Sequence, residues 1–375
     1  MIKILHVVPN MQAGGLETFI MNIMRNISDE VEFDFLVHYK EKKFYDDEIE
    51  RLGGTIYRFS LRDDHNIFKY IGQLNKFFKN HKEYNIIHCH MPSIGFLVFL
   101  IAKKNGIKVR IAHSHHSNCE KNLKGYVKNF LSKFFKYTST HNFACSKDAG
   151  KYLFGKKKYI VIPNAIELDK FKFDVQQRAK IRKELKINDN TMVIGHIGRF
   201  CEQKNHDKLI DIFNDYQKIN PNSVLLLVGT GETLEKTKNK VASLNLENNV
   251  RFLGVRKDTP ALYSAFDAFL LPSTSEGLGI VLIEAQMSGL YCYTTDKKVP
   301  KAALISDRLT YLDGDKNSEM WANELIKENN YDRKNINFNK NKENYDIKQI
   351  AKELEKFYKE NSNYWNEGKE DGKFN

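Results

Sequence analysis

Cysteine is scarce in this chain, and the cysteines that are present are scattered. Of the 375 residues, five are cysteines, at positions 89, 119, 145, 201 and 292, and no two of them form a C-x-x-C pair. This spacing is not that of a zinc ribbon or of a redox motif. We therefore expect reduced, mostly structural cysteines, as is usual in cytoplasmic proteins.

Long hydrophobic runs are also missing. The longest apolar run, residues 94–102, is far shorter than the ~20 residues that a membrane-spanning helix requires. The N-terminal segment MIKILHVVPN has a short apolar run without a cleavage site after it, so it predicts a first β-strand rather than a secretory signal. We expect a protein that is soluble in the cytoplasm or binds peripherally to the inner face of the cell membrane.

The dinucleotide-binding fingerprint G-x-G-x-x-G is absent as well. Gly14-Gly15 follows the first predicted strand and precedes a helical pattern, whereas Gly229-Thr230-Gly231 has Leu234 where a third glycine would stand. This absence argues against a dehydrogenase. A Gly-Gly pair before a helix still lets a ligand come close to the backbone, although a plain tight turn would explain it as well.

Positive charge, in contrast, is abundant. The chain has 59 Lys and Arg against 47 Asp and Glu, a net charge of +12, and a pI of about 9.2. Such a charge suits an anionic partner, such as a nucleotide, an acidic membrane surface or a nucleic acid. The chain is also rich in Lys, Asn, Ile and Tyr throughout, which offers a compositional explanation. Because no nucleic-acid-binding element is recognisable, we predict no nucleic-acid partner.

Strand-like and helical segments alternate along both halves of the chain, and 41% of the residues are hydrophobic, enough for substantial cores. This alternation predicts the α/β class, with parallel sheets covered by helices on both faces. Ligands bind such sheets at the carboxyl ends of the strands. Residues that bind or act on a ligand are therefore expected immediately after the predicted strands.

The most informative stretch is residues 272–290, PSTSEGLGIVLIEAQMSGL. A strand end, a loop of small residues and a helix beginning near Leu278 make a natural seat for a phosphate group. Glu276 and Glu284 are about two helical turns apart and suit hydroxyl groups of a ligand better than its phosphates. A capped helix with two solvated glutamates is the alternative.

Arg199 and Lys204 follow another strand, where such cations neutralise a diphosphate or simply lie on the surface.

Histidines cluster after a strand of the first half. His113 stands at the predicted strand end, and with His115, His116 and Cys119 it suggests a zinc site. No second cluster with matching ligands is recognisable, and a strand turns successive side chains to opposite faces, so we predict no metal site. A neutral histidine here can instead exchange a hydrogen bond with a substrate hydroxyl. His113 best fits that place, His115 is the alternative, and a histidine without a role also remains possible.

Residues 121–137 combine lysines with aromatic residues at helical spacing. The apolar side chains that share one predicted face are Leu123, Val127, Phe130, Leu131 and Phe134, and the lysines lie largely around the other face. A basic amphipathic helix of this kind can lie on an acidic membrane surface. The alternative is an ordinary surface helix of a lysine-rich protein.

The segment EGLGIVLIEAQMSGL resembles the signature of the retaining nucleotide-sugar glycosyltransferases of family 4, E-G-[FL]-G-x-x-x-x-E-A followed shortly by Gly, with every fixed position filled. Residues 163–167, PNAIE, and Arg199 with Lys204 resemble two further motifs of that family in the right order. The resemblance covers essentially residues 1–360, and the N-terminal opening looks like bacterial capsular and exopolysaccharide glycosyltransferases in particular.

This resemblance implies a GT-B fold, with two facing, doubly wound, Rossmann-like domains and a cleft between them. Residues 1–167 would form an acceptor-binding domain and residues 168–345 a nucleotide-sugar-binding domain. Residues 346–375 would return as a helix to the first domain and end in a frayed tail. The implied activity is the transfer of a hexosyl or N-acetylhexosaminyl group, most plausibly from a UDP-sugar, to a glycan or lipid-linked acceptor, without a metal or other cofactor.

The resemblance also implies roles for individual residues. The catalytic residues would be Glu276, His113, Arg199 and Lys204. The residues that bind the donor would be Gly14, Gly15, Val255, Leu278, Gly279, Ile280 and Glu284. Two rivals stay open, namely a UDP-sugar 2-epimerase of the same fold and a non-catalytic sugar-binding or scaffold relative.

Overall fold

The computed structural model describes residues 1–59, 66–115, 123–326 and 332–363. Three predicted features lie outside these residues: the part of the histidine run beyond His115, Lys121 at the start of the basic helix, and the tail 364–375. The chain divides into two compact units. One is Met1–Ala165 together with the segment that begins at Asp346, and the other is Ile166–Tyr345.

The first unit is built on a parallel sheet that has seven strands within the described residues. The strands are β1 (Ile2–Val7), β2 (Val31–Val37), β3 (Ile56–Arg58), β4 (Ile86–Cys89), β5 (Val109–Ser114), β6 (His141–Ala144) and β7 (Ile160–Val161). Their order in the sheet is β3-β2-β1-β4-β5-β6-β7. The helices between them are α1 (Gly15–Met24), α2 (Asp46–Arg51), α3 (Ile67–Asn80), α4 (Pro92–Lys104), α5 (Leu123–Thr138) and α6 (Lys147–Phe154).

The second unit repeats this plan with a parallel sheet of six strands within the described residues. The strands are β8 (Met192–Ile197), β9 (Ser223–Val228), β10 (Val250–Phe252), β11 (Ala268–Leu271), β12 (Tyr291–Thr295) and β13 (Leu309–Leu312), in the order β10-β9-β8-β11-β12-β13. Its helices are α7 (Val175–Glu184), α8 (His206–Ile219), α9 (Leu234–Ser243), α10 (Thr259–Ala265), α11 (Ile280–Met287) and α12 (Ser318–Ile326). Short 3-10 turns span Leu168–Phe171, Glu202–Lys204, Lys301–Ala303 and Lys340–Tyr345.

Several inner strands of both sheets, β4, β5, β9 and β11, are buried along their whole length, as expected for parallel sheets that helices cover on both faces. All residues of β9, SVLLLV, and of β11, AFLL, are buried. In each sheet the strand order reverses once, between β1 and β4 in the first unit and between β8 and β11 in the second. Such a reversal is the point at which doubly wound sheets bind ligands. The predicted fold of two doubly wound sheets is confirmed.

The last helix, α13 (Ile347–Asn363), packs on the first unit, where it contacts α1 and β1. Its buried residues, Ile347, Ile350, Ala351, Leu354 and Tyr358, recur at helical spacing and join the core beside β1 and β2. None of the helices in the described parts of the chain is long and apolar enough to cross a lipid bilayer.

Candidate functional site

The loops that follow β8 and β11 meet at the switch point of the second sheet. Nζ of Lys204, from the first loop, lies 2.7 Å from Oε1 of Glu276, from the second, and the two side chains are only 16% and 7% exposed. The hydroxyl of Ser273 donates to the same carboxylate oxygen at 2.6 Å. Because burying two charges costs desolvation energy, such a pair contributes little stability and instead marks a place where charge is needed.

Backbone hydrogen bonds fix this pair in position. The amide of Thr274 donates to the carbonyl of Gln203 at 2.9 Å, and Nε2 of Gln203 donates to the carbonyl of Ser275 at 2.5 Å. The amide of Glu276 donates to the carbonyl of Lys298 at 2.9 Å. These bonds hold the loop that carries Glu276 against the loops that follow β8 and β12, as a preorganised site requires.

Arg199 belongs to the same loop as Lys204 but has a different partner. Its guanidinium lies 2.9 Å from the carboxylate of Glu232, and both side chains are well exposed. The loop rests on the Gly229-Thr230-Gly231 turn, where a Cβ on Gly229 would collide with the carbonyl of Gly198. These glycines thus permit close packing of two loops. Of the two cations in the loop after β8, Lys204 contacts Glu276 and Arg199 contacts Glu232 instead.

The N-terminus of α11 opens beside the loop that carries Glu276. Gly279 precedes the helix with a left-handed backbone (φ +78°), and no side chain caps the helix there. The predicted start near Leu278 is shifted to Ile280, whose side chain is half-buried, while Leu278 is buried. Val255 lies after β10 and is 46% exposed. The amides of this turn and the exposed Val255 are available to a ligand at the carboxyl edge of the sheet.

Glu284 lies inside the second unit, one turn into α11. The hydroxyl of Tyr263, on α10, donates to its Oε2 at 2.7 Å. Burial raises the pKa of the Glu284 carboxyl to about 7, against which the hydrogen bond from Tyr263 acts. A carboxyl group with this pKa titrates near neutrality, so a ligand that donates hydrogen bonds to it can change its charge.

Ser273 and Tyr263 were not among the predicted site residues, although each contacts one of the two glutamates. Ser273 stands three residues before Glu276 in the sequence, and this short separation was the only feature that could have predicted their contact. Tyr263 lies on a different helix, and the sequence shows no sign that its hydroxyl reaches Glu284.

In the first unit, an acidic side chain occupies the start of α1. Gly15 has open space around its Cα, whereas a Cβ on Gly14 would collide with the carboxylate of Glu17. Burial raises the pKa of the Glu17 carboxyl to about 7. The sequence offered no signal for this, because glutamate at the third helical position is common in ordinary helix capping.

The predicted His113 is part of a histidine cluster that the sequence analysis did not find. His113 is fully buried, and His115, just past the end of β5, is 9% exposed. The other members are His6 on β1 and His88 and His90 at the end of β4. The expectation that the chain offers no second group of ligands is therefore wrong. Histidines two positions apart share one face of a strand, and the register of β1, β4 and β5 brings the three strands' histidines together.

Two family models match the chain in sequence. The model described as Glycosyltransferase Family 4 matches residues 13–170, and the model described as Glycosyl transferases group 1 matches residues 177–345. Together they span most of both units. The catalytic and donor-binding roles of the individual residues remain predictions.

Known relatives agree with these models. The chain is 29% identical to the putative glycosyltransferase EpsF of Bacillus subtilis (strain 168), over 87% of each chain. It is 26% identical to the capsular polysaccharide biosynthesis glycosyltransferase CapH of Staphylococcus aureus, over 96% of this chain and 99% of CapH. The crystal structure of Anabaena Alr3699/HepE in complex with UDP and glucose has the same fold, with a TM-score of 0.78 at 19% identity, over 96% of this chain and all of that one. The chain is therefore a glycosyltransferase of the GT-B type, whose first half matches the family 4 model and whose second half matches the group 1 model.

Proposed function

We propose that this transferase moves a sugar from a UDP-sugar to a glycan or lipid-linked acceptor in capsular or exopolysaccharide biosynthesis, with retention of anomeric configuration. The relationship to CapH supports the pathway, and the UDP bound to the similarly folded HepE supports the donor. The observation that carries the proposal is the buried pair of Lys204 and Glu276 at the switch point of the second sheet.

The cation and the carboxylate of this pair bind different parts of the donor. Lys204 neutralises the diphosphate, while Glu276, held by Ser273, accepts hydrogen bonds from hydroxyls of the sugar. Glu284 accepts hydrogen bonds from the ribose. Arg199 exchanges Glu232 for a phosphate, which costs little because an exposed ion pair contributes roughly 0–1 kcal/mol.

Transfer then needs no metal ion, because Arg199, Lys204 and the amides at the start of α11 stabilise the negative charge that develops on the leaving diphosphate. The bond between the anomeric carbon and the β-phosphate oxygen breaks, and a bond from the acceptor oxygen to the same face of that carbon forms. The acceptor's proton passes to the leaving phosphate. A glycosyl adduct trapped on any side chain would contradict this route.

The role of His113 in sugar contact remains a prediction. Its side chain has no exposed surface, whereas that of His115 is 9% exposed.

Incubation with single nucleotide sugars in the presence of EDTA tests the proposal. One UDP-sugar is expected to raise the thermal unfolding midpoint and to release UDP slowly without an acceptor. Lys204→Ala and Glu276→Ala should lower both effects, and Lys236→Ala, which changes an exposed lysine paired with Asp207, should not. Loss of activity in EDTA that Mg²⁺ restores would contradict metal-independent transfer. Conversion of the sugar without UDP release would indicate an epimerase, and the absence of any shift would favour a sugar-binding relative.

We also propose that helix α5 contacts an acidic membrane surface. Three residues of the predicted apolar face point outward: the side chains of Val127, Phe130 and Phe134 are 52%, 59% and 44% exposed, and the rings of Tyr126 and Tyr137 on the same helix are 58% and 67% exposed. Phe135 is instead the buried anchor and stacks on Phe99 of α4 with ring centroids 5.0 Å apart. Exposed aromatic residues beside lysines are typical of helices that bind anionic lipid.

A further inference from the structure

Two hydrogen-bonded histidine chains lie at the switch point of the first sheet. In one, Nδ1 of His6 lies 3.1 Å from Nε2 of His90, and Nδ1 of His90 lies 2.9 Å from Nε2 of His115. In the other, Nε2 of His88 lies 3.0 Å from Nδ1 of His113, and Nδ1 of His88 lies 2.7 Å from the hydroxyl of Tyr358 on α13.

The second chain ends on a buried nitrogen. Nε2 of His113 makes no hydrogen bond of good geometry with a described residue, although the backbone of Ile162 interacts with this ring, and the side chain is fully buried. The rings of His113 and His115 are 4.1 Å apart between centroids, so this nitrogen belongs to the same group as the end of the first chain. One ligand atom from each of His90, His113 and His115 lies within 4.8 Å of the other two.

The cluster offers imidazole nitrogens as its ligand atoms, and each of the two triads among the described residues that could hold a metal ion consists of histidines alone. Neutral imidazole nitrogen is the ligand that zinc, nickel and copper ions prefer, while magnesium and calcium prefer oxygen.

We propose that His90, His113 and His115 bind one transition metal ion of the zinc type, through Nδ1 of His90 and Nε2 of the other two, with a fourth position open. Nitrogens at 2.0–2.1 Å around a tetrahedral zinc are about 3.3 Å apart, so the observed 2.9 Å between His90 and His115 requires only small ring rotations. The site goes beyond the proposed transfer chemistry and does not depend on it.

The remaining histidines act as the outer shell of this site. With the metal on Nδ1 of His90, the Nε2–H of the same ring donates to Nδ1 of His6. With the metal on Nε2 of His113, its Nδ1–H donates to His88, whose own Nδ1–H donates to Tyr358. The contacts to these three outer residues are compatible with a single set of tautomers, and such outer partners hold ligand rings in place. The other possible triad, His6 with His88 and His90, is less suitable because both nitrogens of His88 are hydrogen-bonded to residues outside that triad, His113 and Tyr358.

Metal titration of the full-length protein tests the site. After removal of metal with a chelator, Zn²⁺ should bind in a ratio of one per chain by calorimetry, and Co²⁺ should give the visible absorption of a tetrahedral site. X-ray absorption of the zinc form should show nitrogen ligands at about 2.0–2.1 Å and no sulfur. His90→Gln and His115→Gln should each weaken binding by more than about 100-fold, a larger loss than that from outer-shell changes.

Controls separate this site from its alternatives. His141→Gln changes a histidine on the neighbouring strand β6 outside the cluster and should bind zinc as tightly as the unmodified protein. If His6→Gln abolishes binding while His115→Gln does not, the other triad binds the ion and the assignment is wrong. Failure of the unmodified protein to bind Zn²⁺ at micromolar concentration, or sulfur in its coordination shell, would also overturn the proposal, whatever the stability of the variants.

Discussion

The hydroxyl of Tyr263 donates a 2.7 Å hydrogen bond to Oε2 of Glu284, and both side chains are buried. Burial disfavours the charged carboxylate and raises the pKa of Glu284 to about 7 from its usual 4.5. The folded protein therefore binds this proton more tightly than the unfolded chain does. The second unit thus carries a group whose charge depends on pH near neutrality and on what occupies the site.

Replacing Glu284 by glutamine should stabilise the protein at alkaline pH. The contribution of Glu284 to stability is full below pH 4.5 and is lost as the pH rises to about 7, a loss of up to about 3 kcal/mol. Glu284→Gln keeps a hydrogen-bond acceptor for Tyr263 and has no charge to bury. We expect a higher thermal unfolding midpoint than that of the unmodified protein at pH 8 and a much smaller difference at pH 5, whereas the exposed Glu235→Gln should show neither. An equal difference at both pH values would contradict the assigned pKa shift.

Binding of the donor nucleotide should release a proton near pH 6.5. If ribose hydroxyls donate to Glu284, they favour its ionised form and lower its pKa, so affinity for UDP should rise between pH 6 and pH 8. Calorimetry in buffers of different ionisation enthalpy measures the proton released. Glu284→Gln should bind UDP more weakly and release fewer protons. Equal proton release from this variant would place the titrating group elsewhere, with the terminal phosphate of UDP, whose second pKa is about 6, as the first candidate.

Much of the second unit could be predicted because its signals are local in sequence. Strands such as β9 are apolar throughout and alternate with helical patterns, which predicts a parallel sheet. Glu276 and Glu284 stand in one short motif next to a strand end. Lys204 is 72 residues from Glu276, but a general rule about parallel sheets places the loops after β8 and β11 at one edge.

The features that were missed depend on packing between distant segments. The contact between His6 and His90 spans 84 residues and that between His88 and Tyr358 spans 270, so neither follows from local spacing. For α5, apolar and aromatic side chains occur on more than one side, and periodicity alone does not decide which side is buried. Gly95 of α4 decides it, because the absence of a side chain there admits the ring of Phe135.

The pair of Lys204 and Glu276 should show strong energetic coupling. Lys204→Ala leaves a buried carboxylate without its cation and should destabilise the protein by about 3 kcal/mol. The double variant Lys204→Ala, Glu276→Ala removes both charges, so it should cost less than the sum of the single changes by about 1–3 kcal/mol. Denaturant unfolding of the four proteins gives this difference. The exposed pair of Arg199 and Glu232, treated in the same way, should give less than about 1 kcal/mol.

Helix α5 should hold the protein on vesicles that contain anionic phospholipid. Phe130 and Phe134 are exposed, and their ring centroids lie 5.5 Å apart, which makes a continuous apolar contact on the helix. Lys128 and Lys133 are exposed on the same helix and add electrostatic attraction. We expect sedimentation with vesicles of phosphatidylglycerol, weaker binding in high salt, and little binding to phosphatidylcholine.

Serine substitutions separate insertion of the aromatic side chains from attraction by charge alone. Phe130→Ser and Phe134→Ser should each weaken vesicle binding by about tenfold or more, since burial of a phenylalanine contributes roughly 1.5 kcal/mol or more. Phe68→Ser is the matched control, because Phe68 is 83% exposed and lies on a different helix, α3. Equal losses from Phe68→Ser and Phe130→Ser would show that exposed aromatic residues bind vesicles wherever they lie. Unchanged binding in both α5 variants would leave attraction of the chain's net charge as the cause and would refute α5 as the contact surface.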